Sequence, residues 1–335
     1  MVKNSFTLLL ILAAVMFIML PAVVFAGPVP DTGQTKCYNT YSEITCPTTG
    51  QQFYGQDSQY TINPHSYIKL GAGGVELPKN ATSWLMVRDT VTGLAWEIKH
   101  YQNGTKNYAD PNDADNTYTW YNGVNGTPGA GTDTVDFINT LNAQNYGGYN
   151  NWRMPTTMEL AFIRESNRYN PAIDTAFFSN TQAEYYWSSN IYANDSSYSW
   201  AVYFLYEDVD PKQQLESRPV RAVRGPQSVY GSHFVDNGNG TVTDTDTGLM
   251  WQKATAPGTY TWEQALQYCE SLNLAGYNDW RLPSKNELQS IVDNSRAYPA
   301  INLTYFPDTQ SNLYITSTTA TDYNYDFWGV DFSRG

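Results

Sequence analysis

The sequence predicts an α+β protein of two tandem modules, each with two helices and a small twisted antiparallel sheet, the second without its final strand. Three observations predict it. The stretch Gly276-Tyr-Asn-Asp-Trp280-Arg281-Leu-Pro283-Ser-Lys-Asn-Glu287-Leu288 restates Gly148-Tyr-Asn-Asn-Trp152-Arg153-Met-Pro155-Thr-Thr-Met-Glu159-Leu160, 128 residues upstream. Each copy opens a helix with a capping box, Thr156 with Glu159 and Ser284 with Glu287, in which hydroxyl and carboxylate each satisfy a backbone N–H. The segments after each copy alternate apolar and polar residues, as strands half-buried against a core do.

Taken in order, Met1 to Ala26 reads as an export signal: Lys3, an apolar run from Phe6 to Phe25, and Val24-Phe-Ala26 as a small-residue cleavage site. An uncleaved anchor is the alternative, because the run is about long enough to span a bilayer; no membrane insertion is expected after cleavage. The formal net charge is −13, and it becomes −14 once Lys3 leaves with a leader free of acidic residues. A field of that sign disfavours nucleic acid and other polyanions as partners. Low charge with abundant Tyr, Trp, Asn, Thr and Gly is the composition of irregular β-rich extracellular modules.

Residues 27–80 form an N-terminal extension with a small disulfide loop, Cys37 pairing with Cys46 in an oxidising compartment. Only Tyr60-Thr-Ile and Tyr67-Ile-Lys-Leu look strand-like there, and the run Gly71-Ala-Gly-Gly74 lacks the strand and helix that a phosphate loop needs, so the extension reads as a flexible lead-in. Module one spans 81–225. Its Asp89-Thr-Val-Thr-Gly93-Leu-Ala-Trp96 matches Asp244-Thr-Asp-Thr-Gly248-Leu-Met-Trp251 at an offset of 155, so the change of offset leaves 27 extra residues in module one, within Asn103 to Gly131. That insertion is a polar loop, the kind of segment on which binding is commonly grafted.

In the first helix of module two, Thr261 caps, Gln264 completes the box, and Trp262, Ala265, Leu266, Cys269 and Leu272 share a face. Asp133 caps its counterpart, where Phe137, Ile138 and Leu141 line the same face. Leu141 stands in the place of Cys269, so the cysteine reads as a small buried hydrophobe. Pro171-Ala-Ile173 matches Pro299-Ala-Ile301, and Ser199-Trp-Ala-Val-Tyr-Phe204 matches Phe327-Trp-Gly-Val-Asp-Phe332. Module one then closes on Arg218-Pro-Val-Arg-Ala-Val-Arg224. After a linker, 226–232, module two spans 233–335 and stops at Gly335, which aligns with Glu207, so its final strand, about 18 residues, is absent. Either the chain is a fragment, or the second module borrows a strand or leaves an edge open, and an unpaired edge is an association site through which the second module would self-associate.

Trp96, Trp152, Arg153, Glu159, Trp251, Trp280, Arg281 and Glu287 read as structural, aromatic wedges with hydrogen-bonding forks. No catalytic constellation appears: His65, His100 and His233 make no zinc-type pair, and no Gly-x-Ser-x-Gly elbow is present. Ca2+ is the one ion with oxygen ligands to consider, through Asp236, Asn237, Asn239 and Asp244 or Asp110, Asn112, Asp113 and Asp115, although turn chemistry alone explains these residues. For ligand binding the candidates are Tyr108, Tyr118, Trp120 and Tyr121, aromatics gathered in the polar insertion as sugar-binding faces are.

Together Asp236-Asn-Gly-Asn-Gly-Thr-Val-Thr-Asp244, Thr-Gly248-Leu-Met-Trp251, Thr261-Trp-Glu-Gln-Ala265 and Trp280-Arg-Leu-Pro283 with Glu287-Leu288 resemble the bacterial DUF1566 family, also named for the C-terminal domain of the Legionella collagen-like protein. The resemblance covers about 81–225 and 233–335. It implies two C-type-lectin-like modules, and the Arg-Leu-Pro run with its Glu is similar to one in formylglycine-generating enzymes, whose late pair of cysteines neither repeat offers. It further implies an exported surface or adhesive protein, secreted or on the bacterial cell surface, with an extracellular glycan or protein as partner. The Legionella ligand, a sulfated glycosaminoglycan, fits poorly with the negative charge. Family members often carry a cysteine in the closing strand, where this chain has Ala222. The expectation is a non-catalytic binding protein, with a structural or assembly subunit as the alternative.

Overall fold

A computed structural model describes residues 27–121, 123, 131–320 and 326–334. The expected leader, Met1 to Ala26, lies outside the described residues, as do 122 and 124–130 of the insertion. The chain begins with a two-stranded hairpin, β1 (Cys37–Tyr38) and β2 (Glu43–Ile44), tied by the Cys37–Cys46 disulfide with Cα atoms 5.0 Å apart. A four-stranded antiparallel sheet follows, in the order β3 (Tyr67–Leu70), β4 (Met86–Asp89), β5 (Ala95–Glu97) and, far along the chain, β9 (Val223–Arg224). Between its third and fourth strands lie α1 (Thr134–Ala143), α2 (Thr157–Ala161) and a second sheet of β6 (Tyr185–Ile191), β7 (Tyr198–Tyr203) and β8 (Val209–Gln213).

Repeat two rebuilds this plan. Strands β10 (Phe234–Asp236), β11 (Thr241–Asp244) and β12 (Met250–Gln252) form the first sheet, α3 (Trp262–Ser271) and α4 (Lys285–Ser290) follow, and β13 (Leu313–Thr319) pairs with β14 (Phe327–Asp331). The copying extends to irregularities. Register shifts between Trp187 and Ile191 on β6 and between Ile315 and Thr319 on β13, residues that correspond one to one. The Asn170–Pro171 and Tyr298–Pro299 peptides are both cis. All the caps read from sequence form: Asp133 accepts from two N–H groups at the start of α1, and Thr156, Thr261 and Ser284 make capping boxes.

Two differences from the sequence reading concern the extension. Tyr67–Leu70 pairs with Met86–Asp89, so the first sheet starts ahead of residue 81. Tyr67 holds the place of Phe234: its ring stands edge-on to Phe178 at 5.0 Å, as Phe234 stands to Phe306 at 5.2 Å. Tyr60-Thr-Ile forms no strand. Instead of a loose lead-in, the segment around it clasps repeat two: Gln34 bonds the Thr319 backbone in both directions, Asn286 donates to the Pro30 carbonyl, and Tyr60 donates to Glu270 at 2.6 Å.

One apolar core runs through both repeats, holding Trp96, Leu160, Ile163 and Phe178 together with Val242, Leu288, Ile291 and Phe306. The linker is threaded into it, with Tyr230 edge-on to Phe162 at 5.2 Å and the Ser228 N–H on Glu159. A buried ion pair joins Glu207 of repeat one to Lys285 of repeat two. Burial disfavours both charges; Glu207 has Lys285 and Arg164 beside it and is held below the usual carboxylate range, whereas burial pushes Lys285 down to about 8. Among the described residues no helix is long and apolar enough to cross a membrane.

Candidate functional site

Each repeat is framed by its Trp-Arg and Glu residues. Trp152 is buried and donates its indole N–H to the Tyr146 carbonyl at 3.0 Å, and Arg153 forks onto both oxygens of Glu159 at 2.7 Å each. In repeat two Trp280 reaches the Leu274 carbonyl at 3.4 Å, and Arg281 forks onto Glu287 at 2.6 and 2.5 Å. Glu159 and Glu287 also accept the Thr156 and Ser284 N–H groups. One carboxylate therefore caps a helix and fixes an arginine, a charge-assisted arrangement that holds the backbone of Arg153 or Arg281 in place.

Of the four insertion aromatics, two are core residues. Tyr118 is 1% exposed, packed on Phe137, and Trp120 is 8% exposed, its indole N–H on the Ser188 carbonyl at 2.7 Å. This corrects the reading of Tyr118 and Trp120 as ligand faces: the polar residues of the insertion carry them inward, where burial of large apolar surface stabilises them more than solvent contact would. Trp262 of repeat two is 7% exposed and donates to the Thr316 carbonyl, the counterpart of Ser188. A tryptophan from the insertion thus does in repeat one what a helix residue does in repeat two, a substitution no offset in the sequence reveals. Tyr108 is half-buried, its hydroxyl on the Thr117 carbonyl. Tyr121 is half-buried on a shallow concavity of about 300 Å³ with Trp120, Thr134 and Ile138.

The candidate calcium ligands are engaged locally. Asp236 accepts from the Gly238 N–H and pairs with Lys253, Asn239 accepts from the Thr241 N–H and hydroxyl, and buried Asp244 accepts from the Asp246 N–H and the Thr247 hydroxyl. Asp110 and Asp113 each accept a backbone N–H two residues on. These are Asx turns, and among the described residues no three His, Cys, Asp or Glu side chains converge as a metal site. The histidines lie apart, His65 on Tyr67, His100 on Asp110 and His233 on Asp246.

Repeat two carries an apolar groove of about 490 Å³ between β12, α3 and the Trp280–Leu282 segment. Its counterpart in repeat one is filled. There β9 pairs antiparallel with β5, Ala95 opposite Arg224 and Trp96 opposite Val223, and Val223 exchanges both backbone bonds with Arg153. Val220 and Ala222 lie in one core cluster with Phe137, Leu141, Trp152 and Trp187. In repeat two the matching walls carry Ala265, Cys269, Trp280 and Ile315, and β12 has a strand on one side only among the described residues. Exposure follows: Met250 is 38% exposed where Ala95 is 5% exposed, and Trp251 and Trp280 are half-buried where Trp96 and Trp152 are buried. The Cys269 thiol lines this groove, and burial pushes it up to about 12, so it stays protonated and unreactive. The groove was missed in the sequence, yet its signal was there. Smaller residues, Ala265, Cys269 and Ile315, replace Phe137, Leu141 and Trp187 at equivalent positions.

The Lcl C-terminal domain family matches residues 85–224 and again 240–335. The chain belongs to that family. Both Lcl C-terminal domain matches include the tryptophan, arginine and glutamate frame, and the second includes the walls of the groove. No curated protein and no solved structure matches the chain. The tandem arrangement read from the duplicated motif is therefore a pair of Lcl C-terminal domains.

Proposed function

We propose that this protein is an exported bacterial recognition protein, secreted or held at the cell surface, that binds an extracellular polypeptide or glycan without catalysis and without a cofactor. Membership of the Lcl C-terminal domain family and the Cys37–Cys46 disulfide support the extracellular setting. The reading of each repeat as a C-type-lectin-like module belongs to the same proposal; two helices beside small antiparallel sheets support it. The observation that carries the function is the groove of repeat two. It is concave, walled by Trp251, Trp280, Leu282 and Ile315, and rimmed by Lys253, Asp279 and Arg281, the composition of a site that takes a partner rather than of a surface left to water. The net charge of −13 favours neutral or basic partners over sulfated ones and over nucleic acid.

The test immobilises the chain and offers it glycans and extracellular matrix proteins. Binding that falls at least tenfold in Trp251→Ala and holds in Tyr121→Ala assigns recognition to the groove, whereas absence of binding to every glycan and matrix protein sinks the proposal. A second reading, an assembly subunit, draws on the edge of β12 that no strand covers among the described residues. A chain that stays monomeric at high concentration counts against it.

A further inference from the structure

We propose that repeat one carries an internal cross-linking site, at which the Lys99 and Asn112 side chains join through an amide bond formed with the help of Glu97. Glu97 ends β5, Lys99 follows two residues later, and Asn112 comes from the polar insertion. Glu97, Lys99 and Asn112 are 0%, 4% and 2% exposed, so the three polar groups meet out of water. The Ala222 N–H donates to Oε2 of Glu97 at 3.0 Å and fixes the carboxylate from one side. Its Oε1 takes both other groups, with Lys99 Nζ at 2.7 Å and the Asn112 amide donating at 2.9 Å. Lys99 also donates to the carbonyl of Pro111, the residue before Asn112, at 3.0 Å. One carboxylate oxygen therefore holds an amine and a carboxamide side by side, and fixed proximity of that kind replaces a slow encounter by an internal reaction.

The surroundings suit the amine to attack. Burial pushes Lys99 below its usual range against the pull of Glu97, and the Arg221 guanidinium, which donates to the Glu97 carbonyl at 2.8 Å, pushes the same way. The Phe137 ring, centred 4.4 Å from Nζ, closes the site with apolar surface. Neutral Nζ attacks Cγ of Asn112 and a new C–N bond forms. From ammonium to amide, Nζ gives up two protons in all. Glu97 relays both to Nδ2, the old C–N bond breaks, and the nitrogen leaves as ammonium with the charge that Lys99 brought. Glu97 ends as the carboxylate it was, and no oxidant or cofactor enters. Repeat two builds the equivalent strand β12 without any of this: Gln252 and Ala254 stand at the positions of Glu97 and Lys99, and the insertion has no counterpart there. The sheet itself does not require a buried ion pair, which is costly to desolvate. The bond instead ties the insertion covalently to β5, beneath the segment that carries Tyr118 and Trp120 into the core.

The experiment digests the purified full chain with trypsin after reduction and reads the fragments by mass spectrometry. Trypsin acts after Lys and Arg, so an unlinked chain yields 89–99, 100–106 and 107–153 separately. In nearly all of the sample Lys99 should instead be left uncut, and 89–106 should be found joined to 107–153, lighter than the two together by one ammonia. Lys99→Arg and Glu97→Gln should each release 107–153 alone at full mass. Separate, full-mass fragments from the native protein overturn the proposal, however the variants behave. Loss of ammonia from 107–153 with Lys99 still cut also overturns it, since that marks an Asn-Gly pair closing on its own backbone. A branched fragment that persists in Lys99→Arg would place the link elsewhere, and one that persists in Glu97→Gln would remove the carboxylate from the reaction; either result overturns the site as assigned.

Discussion

Asp57 is a carboxyl group placed where a carboxylate is unwelcome. It is buried between the extension and repeat two, and both the Thr32 and Thr318 hydroxyls donate to its Oδ2 at 2.6 Å. Burial raises it from 3.8 to about 6 in spite of those two bonds. A carboxyl with a raised folded-state value binds its proton more tightly when folded, so its contribution is full below about pH 4 and is lost as pH rises to about 6. The size is on the order of 3 kcal/mol. The expected outcome is a melting temperature that falls between pH 4 and pH 6.5 in the native protein and falls much less in Asp57→Asn; equal slopes in the two proteins would remove Asp57 from the account. Nothing in the sequence around Asp57 announces this, because its burial is created by Thr318, 261 residues away. The arginine forks and the capping carboxylates, by contrast, were each legible, although their pairing was not. Both partners sit six residues apart in a run that also caps a helix.

The same contrast holds among elements. Helices α1 to α4 could be placed from their caps and apolar faces because those signals are local. The strand pattern after each α2-type helix was legible for the same reason, but the role of the insertion was not. It behaves as a strap: Tyr118 bonds Arg218 in both directions, Trp120 donates its backbone N–H to Gln214, and Thr134 bonds Thr119. Counting polar residues identified a surface loop; the two aromatics buried beneath it are tertiary contacts that composition does not encode. Trp120→Ala should therefore destabilise the protein by roughly 3–5 kcal/mol, as large-to-small changes in a core do, and Tyr121→Ala by less than about 0.5 kcal/mol. Urea denaturation compares them. Similar midpoints for the two variants would mean that the strap is not part of the core.

At the scale of the molecule, duplication was readable and the union of the duplicates was not. The offset of 128 residues announced two copies, while the shared core and the Glu207–Lys285 pair between them depend on faces that each copy presents only when folded. Lys285→Ala leaves buried Glu207 with Arg164 as its remaining cation, which should cost roughly 3 kcal/mol, and Glu207→Leu with Lys285→Met should recover part of it. A double variant no more stable than the single one would show that the charges themselves are needed. The threaded linker carries a practical corollary. Gln227 and Val229 are exposed to a protease while Ser228 and Tyr230 are held between the repeats. A cut there would yield two bands on a denaturing gel yet a single particle in gel filtration, and expressing either half by itself would strand a greasy face that only the other half is shaped to cover.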